Sequence, residues 1–193
     1  MRVLTLIHTT PLNSFGSMAQ YALWVEEAIR RMTGRTFEVK TCDFFDPAGG
    51  DSMRRHHLWR IKNSRRFFAA HPADLYHLLD GSMAAFLPSN VWKNTVVTVH
   101  DLIPLLQMQK RLSGSPGPVG RILIQPMKRV LKHAAGLTAV SSHTALDLQA
   151  AVGRNDITVL HNPVRPLPEP DDSMNLPPRY LFHIGNNADY KNR

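Results

Sequence analysis

Residues 96–106, VVTVHDLIPLL, constrain this chain more than any other stretch. Val96, Val97, Thr98 and Val99 form a continuous β-branched run. Such a run marks a strand buried on both faces of a parallel sheet. It stops at two polar groups able to do chemistry, His100 and Asp101, and turns through Pro104. In open α/β sheets ligands bind outside the carboxyl ends of the strands. A His-Asp pair at such an end is therefore a candidate site, although a lone strand-end His is often only a loop residue bonded to backbone.

The rest of the chain repeats a strand-then-helix rhythm. Residues 2–8 read as a first strand. The loop TTPLNSFGS follows, and a helix runs from Ser17 to Arg31, with Ser14 or Ser17 as its cap. Residues 36–45 read as a second strand and 52–70 as a helix. Residues 74–80 read as a third strand, 82–87 as a short helix ended by Pro88, and 95–100 as the fourth strand. The Gly- and Pro-containing stretch 107–118 reads as a loop. A helix is expected over 119–135, with Pro126 kinking it or marking its true start. Strands at 136–142 and 156–162 flank a helix at 142–153, capped by Ser141 or Ser142 and closed by Gly153. This alternation predicts an α/β fold with a doubly wound parallel sheet. Residues 163–179 are rich in Pro and acid and read as a linker. YLFHIG, 180–185, then reads as the first strand of a second domain that is cut short at Arg193. The domain boundaries expected are 1–162, 163–179 and 180–193.

Composition narrows the partners. The net charge is +8 and the sequence pI about 10.1, which favours a polyanion: an anionic membrane, a phosphorylated ligand or nucleic acid. With one cysteine, Cys42, no intrachain disulfide is possible, and its expected role is packing in a strand. No run approaches the ~20 apolar residues that span a bilayer, and the N-terminus lacks a signal-peptide pattern. The expected location is cytoplasmic, with peripheral contact on the inner membrane face as an option. The adjacent His56 and His57 point in different directions on a helix, so a shared metal is not expected. Phosphate-loop, dinucleotide-fingerprint and nucleophile-elbow motifs are absent from the sequence.

Five loops remain, each at a strand's carboxyl end: Asn13–Ser17, His100-Asp101, Ser141-Ser142-His143, His161-Asn162 and Gly185–Lys191. The first leads into a helix N-terminus, which suits a phosphate or sugar oxygen; the plainer role is an ordinary turn. The plainest role of the third is capping.

The order of VVTVHDLIPLL, GLTAVSSHTALDL, ITVLHNPV and YLFHIGNNADYKN resembles the amino-terminal half of the GT-B glycosyltransferases of family 4, also called group 1. Each motif alone is weak; four in order are fairly specific. The resemblance implies two Rossmann-like domains facing a cleft, the first holding the acceptor and the second a nucleotide-sugar. It implies retaining transfer without a metal or cofactor. The acceptor would be a saccharide or lipid-linked glycan. His100 would hydrogen-bond a hydroxyl of the reacting sugar, with Asp101 orienting it or the loop. Gly16 and Ser17 would approach donor or acceptor, Asn162 and Gly185 would line the site, and Lys191 would bind the donor diphosphate. Two departures stand out: Asn186 replaces the common Arg after the turn glycine, and the Pro-Asn-Gly hinge reads His161-Asn162-Pro163. The family's paired glutamates would lie downstream of Arg193, so these residues alone are expected to be inactive. A non-catalytic Rossmann-like binding module that needs a partner chain is the alternative.

Residues 52–70 carry six cations (Arg54, Arg55, Arg60, Lys62, Arg65, Arg66) and no acid, and their apolar residues form no clean stripe. A solvated cationic helix is one reading. The other is an interfacial helix on an anionic membrane, anchored by Trp59. Nucleic acid ranks last, because no recognisable module accompanies the charge.

Overall fold

The computed structural model describes residues 1–10, 17–33, 36–50, 52–163 and 179. The linker and second-domain expectations fall almost wholly outside them. Six parallel strands form one sheet in the order β2-β1-β3-β4-β5-β6: Arg2–His8, Phe37–Asp43, Leu75–Leu78, Thr95–Val99, Gly136–Ala139 and Ile157–Val159, numbered along the chain. The chain leaves β1 toward β2 and returns on the far side of β1 to form β3. This reversal makes a crevice between the carboxyl ends of β1 and β3, where doubly wound sheets place their ligands.

One register row explains why the sheet holds together. Cys42, Ile7, Leu78, Val97, Leu137 and Ile157 lie side by side across all six strands. The four central members are essentially inaccessible, and they face one large core. Helices α2 (Met53–Ala70), α4 (Pro118–His133) and α5 (Ser142–Val152) contribute Phe67 and Phe68, Ile124 and Leu131, and Leu148 to that core. The alternate residues Leu4, Leu6 and Leu79 face the other way. They pack with Tyr21 and Ala22 of α1 (Ser17–Thr33). Strand side chains alternate between faces, so the layering follows from the sequence pattern. β2 is an edge strand, and Glu38 and Lys40 charge its exposed face.

Three local departures have plain causes. Helix α4 runs unbroken through Pro126 and begins at Pro118, directly after the N-cap Gly117. Proline suits that first position. The Ile122 carbonyl, which loses the amide partner at Pro126, lies on the outer face, where Ile122 is 73% exposed and water can serve it. Helix α3 (Ile103–Met108) forms within what reads as turn and loop. One short helix is expected after β3, over 82–87, but two 3-10 helices occur, Gly81–Phe86 and Ser89–Asn94, separated by Leu87 and Pro88. At α5 the Ser141 hydroxyl accepts from the Thr144 amide at 3.1 Å, and Gly153 closes the helix at φ +69°. Cys42 is buried in β2, where burial pushes its thiol up to about 12.

Candidate active site

β4 delivers His100 to the carboxyl edge. Its Nε2–H donates to the Leu79 carbonyl at 3.0 Å; a carbonyl can only accept, so that nitrogen carries the proton. In the neutral ring Nδ1 is then the acceptor. The ring stands edge-on to Tyr21, centroids 4.5 Å apart and planes at 89°. The Tyr21 hydroxyl donates to Thr98 Oγ1 at 3.3 Å, and Thr98 in turn meets His77 and Thr138, each at 2.8 Å. Burial holds the Tyr21 phenol above, and His77 well below, their ordinary values. The Thr144 hydroxyl donates to the His100 carbonyl at 3.2 Å, tying the α5 cap to the same loop.

Asp101 does not orient His100. Its carboxylate accepts from the Ile103 amide at 3.1 Å, bracing the start of α3, and it is exposed. The orienting groups are Leu79 and Tyr21, which neighbouring strands and α1 bring in from afar. Ser17 is the first residue of α1 and exposed; Asn162 follows β6 and is also exposed. Gly16, Gly185 and Lys191 lie outside the described residues.

The crevice between β1 and β3 holds a polar set that the motifs do not announce. Asp80 accepts from the Ser82 amide and hydroxyl, at 2.9 and 2.8 Å, and from Thr9 Oγ1 at 3.4 Å. Arg60, counted in the sequence as one cation of a basic face, is only 1% exposed. Its guanidinium donates to the Phe44 and Thr9 carbonyls, both at 2.7 Å, so one side chain of α2 ties down the ends of β2 and β1. Burial lowers it to about 10, against a raising influence from Asp80. The inward stripe of α2 is His56, Arg60, Ser64, Phe67 and Phe68. Its first half is polar, and that is why no apolar stripe is visible. Trp59, the expected membrane anchor, packs instead against Phe44 and Phe67. His56 accepts from the Asp46 amide at 3.2 Å through Nδ1, while His57 stacks on Phe86, so the two rings do point apart. His8, at the end of β1, is buried with Glu26 and Asp43 each 3.7 Å away; burial lowers it despite those carboxylates.

Residues 43–166, from the end of β2 past β6, match the family model Glycosyltransferase Family 4. This span is well over half of the chain and includes His100, Asp101 and Asn162. The chain belongs to glycosyltransferase family 4. None of the curated proteins compared with it matches. For a family 4 domain, the carboxyl edge described above is the face on which sugar chemistry is to be sought.

Proposed function

We propose that this family 4 domain is the acceptor-side half of a retaining glycosyltransferase that uses a nucleotide-sugar donor. The observation that carries the reading is His100: held by Leu79 and Tyr21 at the end of β4, it keeps Nδ1 as an acceptor for a sugar hydroxyl. A positioned acceptor that strengthens its hydrogen bond as charge develops on the reacting sugar lowers the barrier. No metal or cofactor enters this scheme. Gly16, Ser17 and Asn162 are proposed to contact donor or acceptor. Gly185 is proposed to contact donor or acceptor as well, and Lys191 to meet the donor diphosphate, whose leaving charge an ammonium would offset. The acceptor is a saccharide or a lipid-linked glycan.

The outer face of α2 supports contact with an anionic membrane. Leu58 and Ile61 are 56% and 64% exposed, among Arg54, Arg55, Lys62, Arg65 and Arg66, all exposed. Each cation near such a surface contributes about 1 kcal/mol. No helix among the described residues is long and apolar enough to cross a membrane.

The test is His100→Ala in a protein that carries both halves of the cleft. Loss of one hydrogen bond to the reacting sugar lowers kcat/KM by about tenfold or more; loss of the bond to the Leu79 carbonyl also lowers stability by about 1 kcal/mol, so the kinetics are compared well below the variant's unfolding temperature. Wild-type kinetics in that variant would end the reading.

A further inference from the structure

A cavity of about 220 Å³ opens beside the site, among the elements that follow β2, β3 and β4. Its walls are aliphatic or thioether: Met53 of α2, Met83, Leu102 after β4, and Leu123, Ile124 and Met127 of α4. Among the described residues the one aromatic ring that lines it is His57, whose Nε2 is buried and has no hydrogen-bond partner there. Ser82 and Asp101 supply the other polar atoms, and Asp101 follows His100 directly in the chain. The cavity thus has a mostly apolar lining with few polar groups, one of which, Asp101, follows the residue of the proposed sugar site. That is the pattern of an amphiphile pocket, and three methionines let it adapt to a flexible chain.

We infer that this cavity takes an aliphatic aglycone attached to the acceptor sugar. The inference rests on the proposed transferase reading for its role and narrows the acceptor to a lipid-linked one. Aliphatic walls favour a chain over a flat ring. The surroundings agree: Val119, which lines the cavity, is 47% exposed, and α2, which contributes Met53 and His57 to the cavity, carries the exposed apolar residues Leu58 and Ile61 next to exposed cations. Its capacity is limited. An apolar cavity of ~150 Å³ admits benzene, so 220 Å³ holds about nine carbons on the same scale.

The probes are n-alkyl β-D-glucosides from methyl to dodecyl, titrated calorimetrically into the 193-residue chain below their micelle concentrations. Affinity should rise about fourfold per methylene and level off near eight or nine carbons. Val119→Asp, in the exposed part of the lining, should abolish the rise. Leu123→Trp should move the plateau to shorter chains. Affinity independent of chain length overturns the inference, as does a rise without plateau that Val119→Asp leaves intact. The transferase reading is separable. Should the two-domain protein transfer sugar equally well to methyl and octyl glucosides, the pocket assignment falls and the enzyme stands. Should the plateau appear while no nucleotide-sugar is ever turned over, the aliphatic site stands and the enzyme falls.

Discussion

Arg60→Ala is the most informative single perturbation of the fold. It removes two charge-assisted hydrogen bonds of 2.7 Å and strands the Phe44 and Thr9 carbonyls in a buried place. Each stranded acceptor costs about 1–3 kcal/mol. Loss of the buried stem, whose guanidinium lies over the Phe44 and Phe86 rings, adds about 2 kcal/mol at ~0.8 per methylene. Against this stands relief from holding a desolvated guanidinium, itself several kcal/mol and visible in the fall of its pKa to about 10. The net is a loss of about 3–5 kcal/mol, as for other broken buried ionic sites. In a domain of this size that lowers the unfolding temperature by about 6–20 °C. Arg60→Met keeps the stem and should recover about 2 kcal/mol of it. Arg65→Ala and Arg66→Ala, on the exposed face of the same helix, should each stay within about 0.5 kcal/mol. Urea unfolding followed by circular dichroism ranks the four variants. An Arg60→Ala variant no less stable than Arg65→Ala would refute the claim that this guanidinium ties β1 to β2.

Other expectations follow from the same geometry. Gly81→Ala places a Cβ 3.0 Å from Val99 Cγ2 and 3.1 Å from the Thr98 carbonyl, costing about 1–3 kcal/mol; denaturation midpoints measure it, and an unchanged midpoint contradicts the close approach. Tyr21→Phe keeps the ring that braces His100 but loses the bond to Thr98, whereas Tyr21→Ala loses both. In a protein that carries both halves of the proposed cleft, kcat should fall for Ala far more than for Phe. Burial lowers His77 from 6.5 to about 4 and lowers His8 as well, so the unfolded chain binds protons first on acidification. Stability is full above pH 6.5 and drains away toward pH 4, by on the order of 3 kcal/mol at most for the half-buried His77. His77→Gln should flatten that limb in pH-dependent unfolding; an equally steep limb would assign the proton uptake elsewhere. Sedimentation with anionic vesicles should carry the wild-type chain down in low salt, and Arg54, Arg55, Lys62, Arg65 and Arg66 changed together to Gln should release it. Equal binding to neutral vesicles would remove the electrostatic account.

Local pattern determined most of the scaffold. The β-branched run at 96–99 and the apolar run at 2–8, alternating with helical patterns, fit strands of a parallel sheet buried on both faces, and Ser141 and Gly153 cap a helix by chemistry contained within a few residues. His100 was visible for the same reason: a titratable side chain directly after a buried strand has to emerge at the carboxyl edge. What orients His100 was not visible, because Leu79 and Tyr21 lie 21 and 79 positions away in the chain and meet it only once β3, β4 and α1 are packed together. Of the two roles open to Asp101, orienting His100 or the loop, the structure shows the second, because adjacency in sequence places its carboxylate within reach of the Ile103 amide rather than of the imidazole. The role of Arg60 was decided entirely by tertiary structure. Six cations on one helix are equivalent in composition, and only the angle at which α2 crosses the strand ends selects the one that is buried. The carbonyls of Thr9 and Phe44 need a donor at that point, and each left unpaired and buried would cost about 1–3 kcal/mol.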